Sequence, residues 1–306
     1  MKIHTGYCYV QSHVKATACM ATLLALVLCL GACGNMTSTV SATSNAEVLD
    51  RQRIAEIVAS PDRSAADKTN DLRRKPEQML EFIGIRPGMV ALDISAGGGY
   101  STELLARAVG PNGRVFGQSA PARAPDSPPR PPVTPEADAA SPAPSTQSAP
   151  AAQIQPVRRT SAQALAERAK KPLTANIISI EQPFEAPVPP AVAAGGLDLV
   201  TLMFNYHDLG HMGVDRARMN KAIFAGLKSG GMYVIADHAG RPGTGISEAG
   251  TLHRIDETFL RQEVESAGFK LARRGDFLRN PADPRDKNIP DPPQPKDEFV
   301  FKFIKP

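Results

Sequence analysis

The apolar positions of this chain follow two alternating periods. Short, nearly continuous apolar runs lie at 90–94, 197–204, 232–236 and 299–304, with weaker ones at 114–117, 176–180 and 270–274. Runs of that length predict strands, and the densest of them predict strands covered on both faces, as in a parallel sheet. Between the runs, apolar residues return at helical spacing: Leu104, Leu105 and Ala108 within 101–109, with similar stripes over 162–171, 215–227 and 254–267. Upstream, 47–59 predicts a helix ended by Ser60-Pro61. Ser64 and Asp67 have the spacing of a capping box that opens a second helix, and Pro76 stands in the first turn of a third, stopped by Gly84. The charged residues between Arg63 and Lys75 read as a solvated helix face, with a cap over a ligand site as the alternative. Strands and helices in alternation predict an α/β domain over 46–306 with a doubly wound, mostly parallel sheet and N-terminal helices.

Two stretches break the pattern. Residues 1–33 carry Lys2, Lys15 and an apolar core at 21–30, too short to span a membrane and stay there, and read as an export signal. It ends in Leu30-Gly31-Ala32-Cys33, which resembles a bacterial lipobox. That resemblance implies a lipidated Cys33, a polar tether over 34–45, and a protein anchored to a membrane facing the periplasm or cell exterior. Residues from about 120 to 152 are rich in Pro, Ala and Ser, with Val133 the only large aliphatic residue of 121–150. Such a segment buries too little apolar surface to order itself and is expected to be a disordered insertion.

Composition removes several function classes. The net charge of +4 comes from 35 basic and 31 acidic residues, with no Trp, so neither a basic stripe nor a base-stacking platform argues for nucleic acid. All four Cys lie within the first 33 residues. Nothing later in the chain can supply a disulfide framework, a thiolate zinc site or a cysteine nucleophile.

The chemistry is concentrated around 90–110, a strand, a glycine turn and a helix. Gly97, Gly98 and Gly99 let the backbone turn tightly and approach a ligand at a helix N-terminus. A dinucleotide-binding Gly-x-Gly-x-x-Gly fails because Thr102 occupies the third position, and no Gly-Lys-Ser/Thr marks a phosphate loop. A plain connecting turn is the remaining alternative. The acidic Asp93 followed by Ser95, Gly97 and Gly99 resembles motif I of class I S-adenosylmethionine (SAM)-dependent methyltransferases, with Ser95 in place of the first glycine. Further landmarks of that family are Pro87-Gly88 before the first strand, Ser229-Gly230-Gly231 before the fifth and Ala267-Gly268-Phe269 before the sixth. More narrowly, the chain resembles a group of bacterial predicted methyltransferases with N-terminal export signals. Shared features are LDxxAGGGYxTELLARA at 92–108, NYHDL at 205–209, Asp237-His238, LHRID at 252–256 and FLRNPADPRD at 277–286.

This resemblance implies a Rossmann-like class I methyltransferase fold, SAM as cofactor and a small-molecule methyl acceptor. Asp93, Ser95, Gly97, Gly98 and Gly99 would hold the methionine part and ribose. Gln118 follows the second strand, where the family places an acid on the ribose hydroxyls; Glu181 follows the third, near the adenine edge; Asn205 follows the fourth. His207 is the expected general base, with Asp208 beside it and His238 second, since an imidazole titrates near neutral pH. A histidine hydrogen-bonded into the sheet edge is the bland alternative for each. His207 and His211, four residues apart, with Asp208 and His238 would suit a metal, but Gly210 and Gly213 speak against a helix there and no third ligand is fixed. No metal is expected.

Two further functions compete. SAM is a cytosolic metabolite that an exported protein would rarely meet, and Ser95 and Gln118 depart from the family pattern. A membrane-anchored binding protein with a degenerate SAM fold is therefore the runner-up. A nicotinamide-dependent oxidoreductase lacks its third glycine and its acid after the second strand.

Overall fold

The structure is a computed structural model that describes residues 47–121 and 159–306. The export signal, Cys33, the tether and all but the first two residues of the expected insertion lie outside the described residues. Among the described residues three helices, α1 (Arg51–Ala59), α2 (Ala65–Arg74) and α3 (Pro76–Ile83), precede the sheet. There follow β1 (Val90–Ile94), α4 (Tyr100–Val109), β2 (Arg114–Ser119), α5 (Ser161–Arg168), β3 (Ile177–Glu181) and β4 (Leu197–Met203). The chain continues through α6 (Tyr206–His211), α7 (Arg216–Gly226), β5 (Leu227–His238), α8 (Ala249–Leu252), α9 (Glu257–Glu265), β6 (Lys270–Gly275) and β7 (Glu298–Ile304).

Seven described strands form one sheet in the order β3-β2-β1-β4-β5-β7-β6. All neighbours run parallel except β7, which is antiparallel to both β5 and β6. The order reverses between β1 and β4, so the crevice for a ligand opens beyond the carboxyl ends of those two strands. Successive strand residues face opposite layers. Ala91, Leu199, Val234 and Val300 pack under α1, α3 and α4 with Ile54, Leu80, Leu104 and Leu105. Leu92, Val200, Ile235 and Phe301 face the other layer with Met219 and Ile223 of α7 and Leu260 and Val264 of α9. The expected α/β architecture with N-terminal helices is the observed one.

Where boundaries move, capping explains it. Helix α1 begins at Arg51 because the Asp50 carboxylate accepts the Arg53 N–H at 2.7 Å. Ser64 caps α2 by accepting the Asp67 N–H at 3.0 Å, but the Asp67 carboxylate turns to Arg168 instead of completing the box. Thr160 and Gln163 form a full capping box that starts α5. Helix α9 starts only at Glu257, since Ile255 is pinned to Ala239 in a β-bridge and Asp256 is the cap. Strand β5 extends back to Leu227, through residues expected to close α7, because Leu227 pairs with Leu197.

Candidate functional site

The glycine turn between β1 and α4 presents two faces. Gly97 and Gly98 are exposed, and a Cβ on Gly98 would meet nothing within 4 Å, which leaves a backbone cradle open to a ligand. Gly99 is closed: a Cβ there would lie 2.8–2.9 Å from Arg168 and Leu165. Arg168 also fixes the loop by donating to the Gly98 carbonyl at 2.6 Å while pairing with Asp67 and Glu103. The expected solvated face of α2 is therefore partly buried against α4 and α5. At its far end, Arg74 stacks 4.6 Å over the Phe204 ring, so the end of α2 does reach over the site. An apolar cleft lined by Met79, Leu80, Tyr100, Leu104, Met203 and Phe204 lies beneath Arg74.

Ser95 opens the loop with φ 57, a left-handed conformation that costs a non-glycine residue about 1 kcal/mol or more. Two contacts hold it there. Its N–H donates to Gln118 Oε1 at 2.9 Å, and its hydroxyl donates to Asn205 Oδ1 at 2.7 Å. The second bond crosses the point where the strand order reverses and joins the glycine loop to the turn after β4.

That turn carries a set of ionisable groups at the crevice. Phe204, at φ 58, swings the chain off the end of β4, and the following residues enter α6 despite Gly210. Asn205 Nδ2 donates to Asp208 Oδ2 at 3.0 Å. His207 is 2 % exposed; its Nδ1 lies 2.6 Å from Asp237 Oδ1 and its Nε2 lies 3.2 Å from Asp208 Oδ1. Burial alone would lower the His207 pKa, but the Asp237 and Asp208 carboxylates outweigh it and raise the value to about 10. His253 arrives from the end of α8, held at φ 51, with Nδ1 3.0 Å from the same Asp208 Oδ1. Burial holds the half-buried His253 below its ordinary value despite Asp208. Burial pushes Asp208 up, yet the bonds and charges of His207 and His253 carry it below the usual carboxylate range.

Of the residues singled out in the sequence, Ser95, Gly97, Gly98, Asn205, His207 and Asp208 converge here. His253 joins them although nothing in its spacing announced it; its signal was LHRID alone. His211 does not join, because its ring packs against Gly250 and leaves no room there for a Cβ. His238 is 1 % exposed, with Nδ1 3.1 Å from Glu298 Oε1 and its ring against those of Phe204 and His207, so it stands behind the cluster. The two carboxylates favour the protonated form of His207, which weakens it as a base.

Two cofactor expectations change. Gln118 is fully buried, with Oε1 taken by Ser95 and Nε2 donating to the Gln182 carbonyl at 2.6 Å, so neither end can reach a ribose. The carboxylate at that corner is Glu181, exposed and in register with Ser119. Gln118→Glu should therefore set a carboxylate oxygen against the Gln182 carbonyl, cost about 1–3 kcal/mol and loosen the Ser95 turn. Chemical denaturation checks it, and an unchanged midpoint would contradict the buried placement.

Asp93 likewise faces inward, accepting from Thr102 Oγ1 at 2.6 Å and Thr201 Oγ1 at 2.7 Å, and ties the first turn of α4 to β1 and β4. Burial raises its pKa to about 6, against the pull of the two hydroxyls. A folded-state value above the unfolded 3.8 means that its contribution favours folding below about pH 4 and is lost as pH rises through about 6. The loss at pH 8 is about 3 kcal/mol at most. Asp93→Asn is thus expected to melt several degrees higher than the parent at pH 8 and nearly level with it at pH 4. A difference independent of pH would refute the assignment.

Residues 52–120 match the family model for protein-L-isoaspartate(D-aspartate) O-methyltransferase. No curated protein sequence matches the chain. Among solved structures, a SAM-dependent methyltransferase from Aquifex aeolicus is 15% identical with a TM-score of 0.50, covering 84% of this chain and 100% of its own. Geranyl diphosphate C-methyltransferase from Streptomyces coelicolor A3(2) is 14% identical with a TM-score of 0.49, covering 85% and 90%. The fold is that of the class I methyltransferases.

Proposed function

We propose that the protein is a SAM-dependent methyltransferase that moves the cofactor's methyl group to a small or medium-sized acceptor. The observation that carries this reading is the 2.7 Å bond between Ser95 and Asn205, which links the open glycine cradle to the histidine–carboxylate cluster across the crevice. The family match over the loop and the fold support it. In this reading the backbone at Gly97 and Gly98 takes the methionine end of SAM, and Glu181 takes the ribose or adenine edge. Asp208 and His253, the less buried members of the cluster, orient the acceptor's nucleophilic atom in line with the sulfonium methyl. Such alignment supplies most of the acceleration in a direct transfer. His207 and Asp237 lie behind and hold Asp208 in place.

Calorimetric titration with SAM, S-adenosylhomocysteine and NAD tests the proposal. Micromolar binding of the two sulfur nucleotides and none of NAD is expected. Failure to bind either sulfur nucleotide would overturn it and leave the anchored binding protein.

The lipobox-like Leu30–Cys33 sequence motivates a companion proposal: export, and anchoring to a membrane through a lipidated Cys33. Cys33→Ser should leave an unprocessed precursor that takes up no labelled fatty acid. A mutant processed like the parent would indicate a plain secretory signal.

A further inference from the structure

Asp208 Oδ1 is approached by two imidazole nitrogens at once, His207 Nε2 at 3.2 Å and His253 Nδ1 at 3.0 Å. All three atoms lie within 4.8 Å of one another. We infer that His207, Asp208 and His253 form a binding site for a divalent first-row transition cation such as Zn²⁺ or Co²⁺. The inference stands on the placement of these side chains and goes beyond methyl transfer, so either can fail without the other.

The distances suit a shared ion. With metal–ligand bonds of about 2.0–2.1 Å, neighbouring ligand atoms stand about 2.9 Å apart in an octahedron and about 3.3 Å apart in a tetrahedron. The two edges that meet at Asp208 fall in that interval. The third edge, between the two imidazoles, lies within 4.8 Å, and the half-buried His253 ring stands edge-on to that of His207.

Surrounding groups are arranged as outer partners of a metal centre would be. Asp237, fully buried, lies 2.6 Å from His207 Nδ1, the carboxylate–histidine relay that orients a ligating ring, and the ion takes the place of the proton at Nε2. Asn205 Nδ2 holds the other oxygen of Asp208. The left-handed backbone at His253 is a local cost spent on delivering that ring to this place. Two imidazoles with one carboxylate select an intermediate cation over Mg²⁺ or Ca²⁺, which take oxygen ligands. Three protein ligands leave at least one further coordination position for water or another ligand atom.

The test is equilibrium dialysis of the full chain against Co²⁺, Zn²⁺ and Mg²⁺ without SAM, with Co²⁺ visible spectra as a second readout. One equivalent bound, with a spectrum of nitrogen-containing coordination, is expected. Asp208→Asn and His253→Gln should each weaken binding at least about tenfold, roughly 1.4 kcal/mol, while His211→Ala leaves it unchanged. Circular dichroism on every variant separates loss of the site from loss of the fold. Three results would each overturn the inference: no binding to the folded parent at millimolar metal, binding that survives both substitutions, or binding of Mg²⁺ in preference to Co²⁺ and Zn²⁺.

Discussion

Asp237→Ala is expected to lower the unfolding free energy by about 3–5 kcal/mol, the largest stability loss of any single change at the site. The carboxylate is fully buried at the end of β5 and serves three donors. It accepts the backbone N–H of His207 at 2.9 Å and of His238 at 2.8 Å, and it lies 2.6 Å from His207 Nδ1. Alanine would strand two buried N–H groups and leave His207 with Asp208 as its remaining carboxylate partner. Removing one member of a buried pair costs more than the pair contributes, because the survivor stays desolvated. Asp237→Asn, which keeps an acceptor for a backbone N–H, should lose clearly less. Denaturant unfolding of the two variants checks both statements, and equal losses would show that charge, not hydrogen bonding, dominates.

Part of this site was legible in the sequence. Buried strands were readable because Leu197–Met203 and Val90–Ile94 have no polar alternation to hide them. The glycine turn was readable because an open backbone cradle needs residues without a Cβ, and Asn205 to Asp208 because a strand's carboxyl end is where ligands bind. His253 was not readable. It lies 45 residues beyond Asp208, at the end of a four-residue helix, and only tertiary packing through the Ile255–Ala239 bridge brings it back. The direction of a strand-end side chain was equally hidden. Asp93 and Gln118 hold the sequence positions of cofactor ligands, yet each finds two internal partners and turns inward. Local sequence supplies the position along a strand, whereas the partners that capture a polar group come from elsewhere in the chain.

Asp208→Asn is expected to cut turnover about 100-fold or more while SAM affinity stays within about twofold. One Asp208 oxygen faces two imidazole nitrogens and the other faces the Asn205 amide, so a carboxylate, which only accepts, fits all three neighbours. Asparagine must aim its NH₂ at one side. Turned toward Asn205, it sets donor against donor; turned toward the histidines, it meets the N–H of His207. Either choice displaces His253 and with it the acceptor, and a shift of about 1 Å in a reacting group is enough for a hundredfold loss. The cofactor would be spared, because the cradle at Gly97 and Gly98 is held from behind by Arg168 and through Ser95 by Gln118. Steady-state kinetics paired with SAM titration separates the two effects. Equal losses of turnover and SAM affinity would move Asp208 into the cofactor pocket, and full turnover in the variant would remove the cluster from the chemistry altogether.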